Sequence, residues 1–129
     1  LHVIDDPAGN PVNKKISVAN VFNNIPTYIA LDDTVHVVDT TTEAVNVTAS
    51  ISHIDTTTAG SSHAGALADG TNGQIKIITM TSDGGDSVVT PANANGFSTI
   101  TFADVGDTAT LIFTGNKWNI LSSHSVTIA

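Results

Sequence analysis

Two runs of alternating apolar and polar residues, 107–114 and 117–122, are separated by only Gly115-Asn116. A two-residue loop of this kind joins two antiparallel strands, and glycine in its first position fits a type II′ turn. The loop length then sets Phe113 opposite Trp118 and Leu111 opposite Ile120. A slip of one residue would send these side chains to opposite faces, so turn and pattern agree on register. The same grammar recurs upstream. Residues 35–38, 44–54, 73–81, 87–90 and 98–102 read as short strands, and 124–129 as a last one. Strands at roughly eight-to-twelve-residue spacing with turn signals between them mark a sandwich, jelly roll or small barrel. No long amphipathic helix is available to cover a parallel sheet. The expected fold is therefore all-β, an antiparallel sandwich or jelly-roll-like domain.

The chain divides by pattern into an N-terminal segment, 1–26, and a β domain, 27–129. In the first, residues 1–4 and 14–18 read as strands around the turn cluster Asp5-Asp6-Pro7-Ala8-Gly9-Asn10-Pro11. Val18, Val21 and Phe22 have the spacing of a short helix, which Pro26 ends. The expectation is a small ββα-like anchoring hook. In the second, residues 28–31 read as a further strand, Val45, Val47, Ala49 and Ile51 alternate with polar residues, and His53-Ile54 breaks the alternation at a bulge or strand end. Residues 56–63 are small and polar and read as a loop. Between Ile77 and Ile78 the apolar face switches, which means burial on both sides or a bulge. The chain opens on Leu1, already in strand pattern, so a longer or trimmed product is expected upstream.

Charge narrows the functional classes. The net charge is −8, with four lysines, no arginine and twelve acids. A nucleic-acid binder needs a basic stripe to displace counterions, and an anionic membrane surface would repel this chain. Neither partner is expected. There is no cysteine, which removes disulfides, zinc–thiolate sites and thiol nucleophiles. Charged residues make up only 12% of the chain, so Thr, Ser, Asn, Ala and Val supply much of the surface. Such surface is polar without being ionic, and is cheap to desolvate against another subunit.

Each candidate chemistry has a plainer explanation. Eleven of the twelve acids are Asp, and Asp32-Asp33, Asp83-Gly84-Gly85-Asp86 and Asp104-Val105-Gly106-Asp107 offer the oxygens a calcium ion wants. Asp at strand ends is first a turn residue, however, and no EF-hand spacing is present. His2, His36, His53, His63 and His124 show no metal-protease spacing, though one of them at a trimer axis would meet its own copies. A triad of Ser61 or Ser62, His63 and Asp55 lacks any nucleophile elbow. Glu43 is the sole glutamate, so paired carboxylates for sugar hydrolysis have no support. Trp118 and Tyr28 are the residues that would stack on a sugar, but Trp118 opposite Phe113 reads as core. Asn46-Val47-Thr48 matches a glycosylation sequon inside a half-buried strand. No catalytic residue, metal ligand or cofactor is expected.

Two stretches carry a resemblance. Leu1-His2-Val3-Ile4-Asp5-Asp6-Pro7 with Asn13-Lys14-Lys15-Ile16-Ser17-Val18-Ala19-Asn20-Val21-Phe22 resembles a module near the N-terminus of tailed-phage virion proteins. Gly70-Thr71-Asn72-Gly73-Gln74-Ile75-Lys76, Val89-Thr90-Pro91-Ala92-Asn93, Thr99-Ile100-Thr101-Phe102, Gly106-Asp107-Thr108-Ala109-Thr110-Leu111 and Lys117-Trp118 are similar to a β-domain of marine-phage, including cyanophage, structural proteins. The resemblance implies a virion component on the particle surface, made in the host cytoplasm, often a homotrimer. It would contact the major capsid protein or other virion proteins as capsid decoration or as a head or tail fibre. Alternatives are a receptor- or carbohydrate-binding fibre tip, and an extracellular filament joined by strand donation from the segment near Leu1.

Overall fold

The computed structural model describes residues 35–129 in full and, before them, the backbone of two strands. The chain divides into two compact units, Leu1–Ala30 and Leu31–Ala129. In the first, β1 (His2–Asp5) pairs antiparallel with β2 (Val12–Lys15), His2 opposite Lys15 and Asp5 opposite Val12. The helix expected at 18–22 and the strand expected at 28–31 lie outside the described residues.

The second unit is all-β apart from one helical turn. Its elements are β3 (Val35–Val38), β4 (Ile51–Asp55), α1 (Thr56–Ala59), β5 (His63–Leu67), β6 (Ile75–Ser82), β7 (Ser87–Pro91), β8 (Ile100–Phe102), β9 (Thr108–Thr114), β10 (Lys117–His124) and β11 (Thr127–Ile128). One sheet has the order β10-β9-β6-β4-β3 and the other β11-β8-β7-β5.

Both sheets are mixed, which corrects the expectation of an antiparallel domain. β3 runs parallel to β4, β4 to β6, and β5 to β7. Their order along the chain gives the reason. From β3 onward the chain passes between sheets: β3 in the first, Val45 bridged to Leu67 at the edge of the second, then β4, β5, β6 and β7 in turn. A strand that returns after crossing to the other sheet arrives in its original direction, and parallel pairing follows. Here β strands of the opposite sheet do the work of crossover helices. After β7 the direction reverses, and β8, β9, β10 and β11 all pair antiparallel.

Inward-facing side chains of both sheets form one apolar cluster, with Ile54, Ile78, Met80, Leu111 and Trp118 from the first sheet and Leu67, Val89, Ile100 and Phe102 from the second. In the β9–β10 hairpin Phe113 stands opposite Trp118 and Leu111 opposite Ile120, and the Phe113 and Trp118 rings meet edge to face at 5.1 Å. The turn itself differs from expectation. Gly115 and Asn116 both have φ of 61°, so it is type I′ and not type II′.

Three other expectations are corrected. Residues 44–54 form no single strand: Val45 makes an isolated bridge, 47–50 bend, and only Ile51–Asp55 is strand. The bend is held by Ala49 N–H donating to Asn46 Oδ1. Residues 56–63 are not a plain loop. Asp55 caps α1 by accepting from Thr58 N–H, and Gly60, at φ 75°, closes it by donating to the Thr56 and Thr57 carbonyls. The switch of face in β6 needs no bulge at Ile77 and Ile78, because Lys76, not an apolar residue, takes the inward place beside Ile78 and Met80, and Ile75 and Ile77 face out.

Candidate functional site

Two features stand out, one on the surface and one inside. The surface feature is the outward face of the five-stranded sheet. Strand register sets its side chains in rows across the strands. One row is Val35, Ile51, Ile77 and Thr110. The next is Val37, His53, Thr79 and Thr108, in which the Thr79 and Thr108 hydroxyls bond each other at 2.9 Å. Ile75 faces Ile112 beside them. Val37 is 45% exposed and Ile75 is 37% exposed. These rows contain no Asp, Glu or Lys. A sheet face turned to water ordinarily alternates to polar side chains, whereas this band holds Val, Ile, Thr and the single His53. The outward face of the second sheet is also uncharged: Ala64, Val88, Thr101 and Thr127 form one row, and Ala66 faces Thr90.

The interior feature is a polar chain that sequence reading missed. Lys76 is fully buried, and its Nζ donates to the Ala49 carbonyl and to Ser52 Oγ, both at 2.7 Å. Ser52 Oγ lies 3.2 Å from His36 Nδ1, and His36 Nε2 lies 3.1 Å from Glu43 Oε1. Glu43 Oε2 accepts from Asp39 N–H, and the Glu43 carbonyl accepts from His63 Nε2 at 2.8 Å. His63 Nδ1 meets Ser87 Oγ at 2.7 Å. Strand parity explains the grouping: His36, Ser52 and Lys76 face inward from β3, β4 and β6, and His63 and Ser87 face inward from β5 and β7. Burial lowers the Lys76 amine to about 8, because a charged ammonium loses its hydration there. Among the described residues every buried side-chain nitrogen and oxygen has a partner. The only sequence signal for this site was a lysine at an inward position of an otherwise apolar strand.

The chain thus contains serine–histidine contacts, although not those weighed from sequence. His63 bonds Ser87 and the Glu43 carbonyl, while Ser61 and Ser62 are exposed. Asp55 serves α1, and its carboxyl is held below the usual range by the Thr58 N–H and hydroxyl. Ser52 and Ser87 are fully buried, which leaves neither hydroxyl a face for a substrate.

The other candidates fall into structural roles. Asp83 Oδ1 accepts from Gly85 N–H, and the buried Asp107 carboxylate accepts from Ala103 and Asp104 N–H. These are turn contacts. Among the described residues no group of three or more His, Asp or Glu could hold a metal ion. Trp118 is fully buried and its Nε1 donates to the Ala68 carbonyl, so it offers no platform for a sugar. His53 is half-buried on the outward face and His124 is exposed; Asp32, Asp33, Tyr28 and the His2 side chain lie outside the described residues. Among the described residues no helix is long and apolar enough to cross a membrane. The chain matches no protein-family model, no curated protein and no solved structure.

Proposed function

We propose that this chain is a structural subunit of a phage virion, a capsid decoration or a head or tail fibre protein, and that it works by packing against copies of itself in a homotrimer on the particle. Its two sheets act as the layers of a sandwich. The observation that carries the reading is a central band of the five-stranded sheet's outward face that holds no Asp, Glu or Lys in a chain of net charge −8, with Asp55 of β4 and Lys117 of β10 only at the margins of that face. Acidic copies repel wherever their carboxylates meet, so they associate through a surface that carries none. Burying Val35, Val37, Ile51, Ile75, Ile77 and Ile112 against a second copy supplies the apolar contact, and Thr and Ser lose little on desolvation when they pair across it.

The reading implies a mechanical role without turnover. The carbohydrate-binding alternative loses its main aromatic, because Trp118 belongs to the core. The test is size-exclusion chromatography with light scattering, on the chain and on Ile77→Lys. The chain should run as a trimer and the variant as a folded monomer. A stable monomer of the unaltered chain that also fails to bind capsids would overturn the proposal.

A further inference from the structure

The interior polar chain leads from a fully buried amine to water, and its proton inventory is fixed by chemistry. A carboxylate only accepts hydrogen bonds, so His36 Nε2 carries a proton and donates it to Glu43 Oε1. In the neutral ring, which the relay requires, His36 Nδ1 is then an acceptor and the Ser52 hydroxyl donates to it. Ser52 Oγ in turn accepts from Lys76 Nζ. Every donor points the same way, from Lys76 to Glu43. The Lys76 side chain is closed to solvent, while His36 is 15% exposed and Glu43 31% exposed.

We infer that Ser52, His36 and Glu43 form a proton wire through which buried Lys76 exchanges its proton with solvent while the sheet stays closed. In one relay step a Lys76 N–H bond breaks and a Ser52 O–H bond forms. The original Ser52 proton passes to His36 Nδ1, and the Nε2 proton of His36 passes to Glu43 Oε1. One unit of positive charge is thereby carried from Lys76 to Glu43, and both end neutral. Glu43 then releases the proton to water and leaves Lys76 as the neutral amine, and a solvent proton that enters at Glu43 runs the path backward and restores the ammonium. The hops span 2.7, 3.2 and 3.1 Å, all hydrogen-bond distances.

The surroundings favour this route. Across the ladder from Lys76 is the apolar Leu111 of β9. From the bend before β4 comes only the Ala49 carbonyl, which accepts but cannot carry a proton away. From the second sheet, His63 of β5 reaches the Glu43 carbonyl, which is not part of the relay, and Ser87 of β7 reaches only His63 Nδ1. Asp39, the other acid on the segment that carries Glu43, contributes its backbone N–H to Glu43 Oε2 and so holds the carboxylate in place. The lowered basicity of Lys76 makes the proton available near neutral pH.

The test is nitrogen-detected NMR of the side-chain amines in the full chain. The chain has four lysines, Lys14, Lys15, Lys76 and Lys117, and loss of one signal in Lys76→Met assigns the buried amine. Lys76 should exchange between ammonium and amine, read from the pH-dependent broadening of its nitrogen signal, faster than the backbone amides of β6 exchange with water, which reports opening of the sheet. Ser52→Ala and Glu43→Gln should each slow Lys76 exchange by about a hundredfold or more, the low end for a lost positioned proton donor or acceptor, and leave exposed Lys117 unchanged. If Ser52→Ala does not fold, Glu43→Gln alone decides, since its side chain is partly exposed. Unchanged exchange in the folded variants, or wild-type exchange no faster than the β6 amides, would overturn the wire.

Discussion

Gly65 is small for a reason that no local rule supplies. It sits in β5 between His63 and Leu67, and a Cβ there would overlap the Glu43 carbonyl and the His63 ring. Gly65→Ala forces these atoms apart and breaks the bond between them. We expect a loss of about 1–3 kcal/mol, the usual range for overpacking a closed site, read as a lower urea midpoint. Lys76 makes a second prediction, about pH. Its folded value is lowered to about 8 from the ordinary 10.5 of a lysine. Between those values the unfolded chain holds a proton that the folded chain has released, so this group makes stability rise with pH. From pH 7 to pH 10 its contribution should improve the folding equilibrium by roughly tenfold or more. The pH slope should flatten in Lys76→Met, as urea titrations of both proteins at each pH would show. Lys76 was legible in sequence as an anomaly only. Its partners Ser52, His36 and Glu43 come from three separated positions, and nothing in their spacing announces that they meet.

At the scale of elements, the β9–β10 hairpin was the most legible part of the chain, because its loop length and its apolar pairs each require the same register. The turn type was misjudged, since glycine in the first position satisfies both I′ and II′, and only the φ of Asn116 separates them. Asn116→Ala should cost about 1–2 kcal/mol, because an alanine at positive φ lacks the local bonding that lets asparagine tolerate it. Asn116→Gly should be nearly neutral, and thermal melts of the two variants would distinguish them. β5 was invisible for the opposite reason. His-Ala-Gly-Ala-Leu has little strand propensity, and it is strand because β7 pairs with it and the 41–45 segment bonds its other edge. Residues 44–54 show the converse error. Their alternation is real, but the Asn46 side chain bonds the Ala49 N–H and turns the chain toward the other sheet.

For the whole molecule, the consequence of charge is testable without any substitution. On the proposed association through the uncharged rows, copies of net charge −8 should bind one another more tightly as salt screens their repulsion. Light scattering at about 20 mM and about 300 mM salt, which spans the Debye length relevant to a protein surface, should show the oligomer population rising. A fall with salt would instead indicate an interface built from opposite charges. Sequence alone determined that this chain is rich in short strands, that Trp118 opposite Phe113 lies inside, and that its surface is sparsely charged. These depend on the period-two alternation of side chains and on turn residues, both of which are local. Only the tertiary structure decided that neighbours run parallel, that Ile75 and Ile77 of β6 face outward while Lys76 faces in, and that Lys76 is joined to Glu43 through Ser52 and His36. Those depend on which distant strand returns beside which. That choice is made by the crossing of the chain between two sheets, and it leaves no trace in any short window of residues.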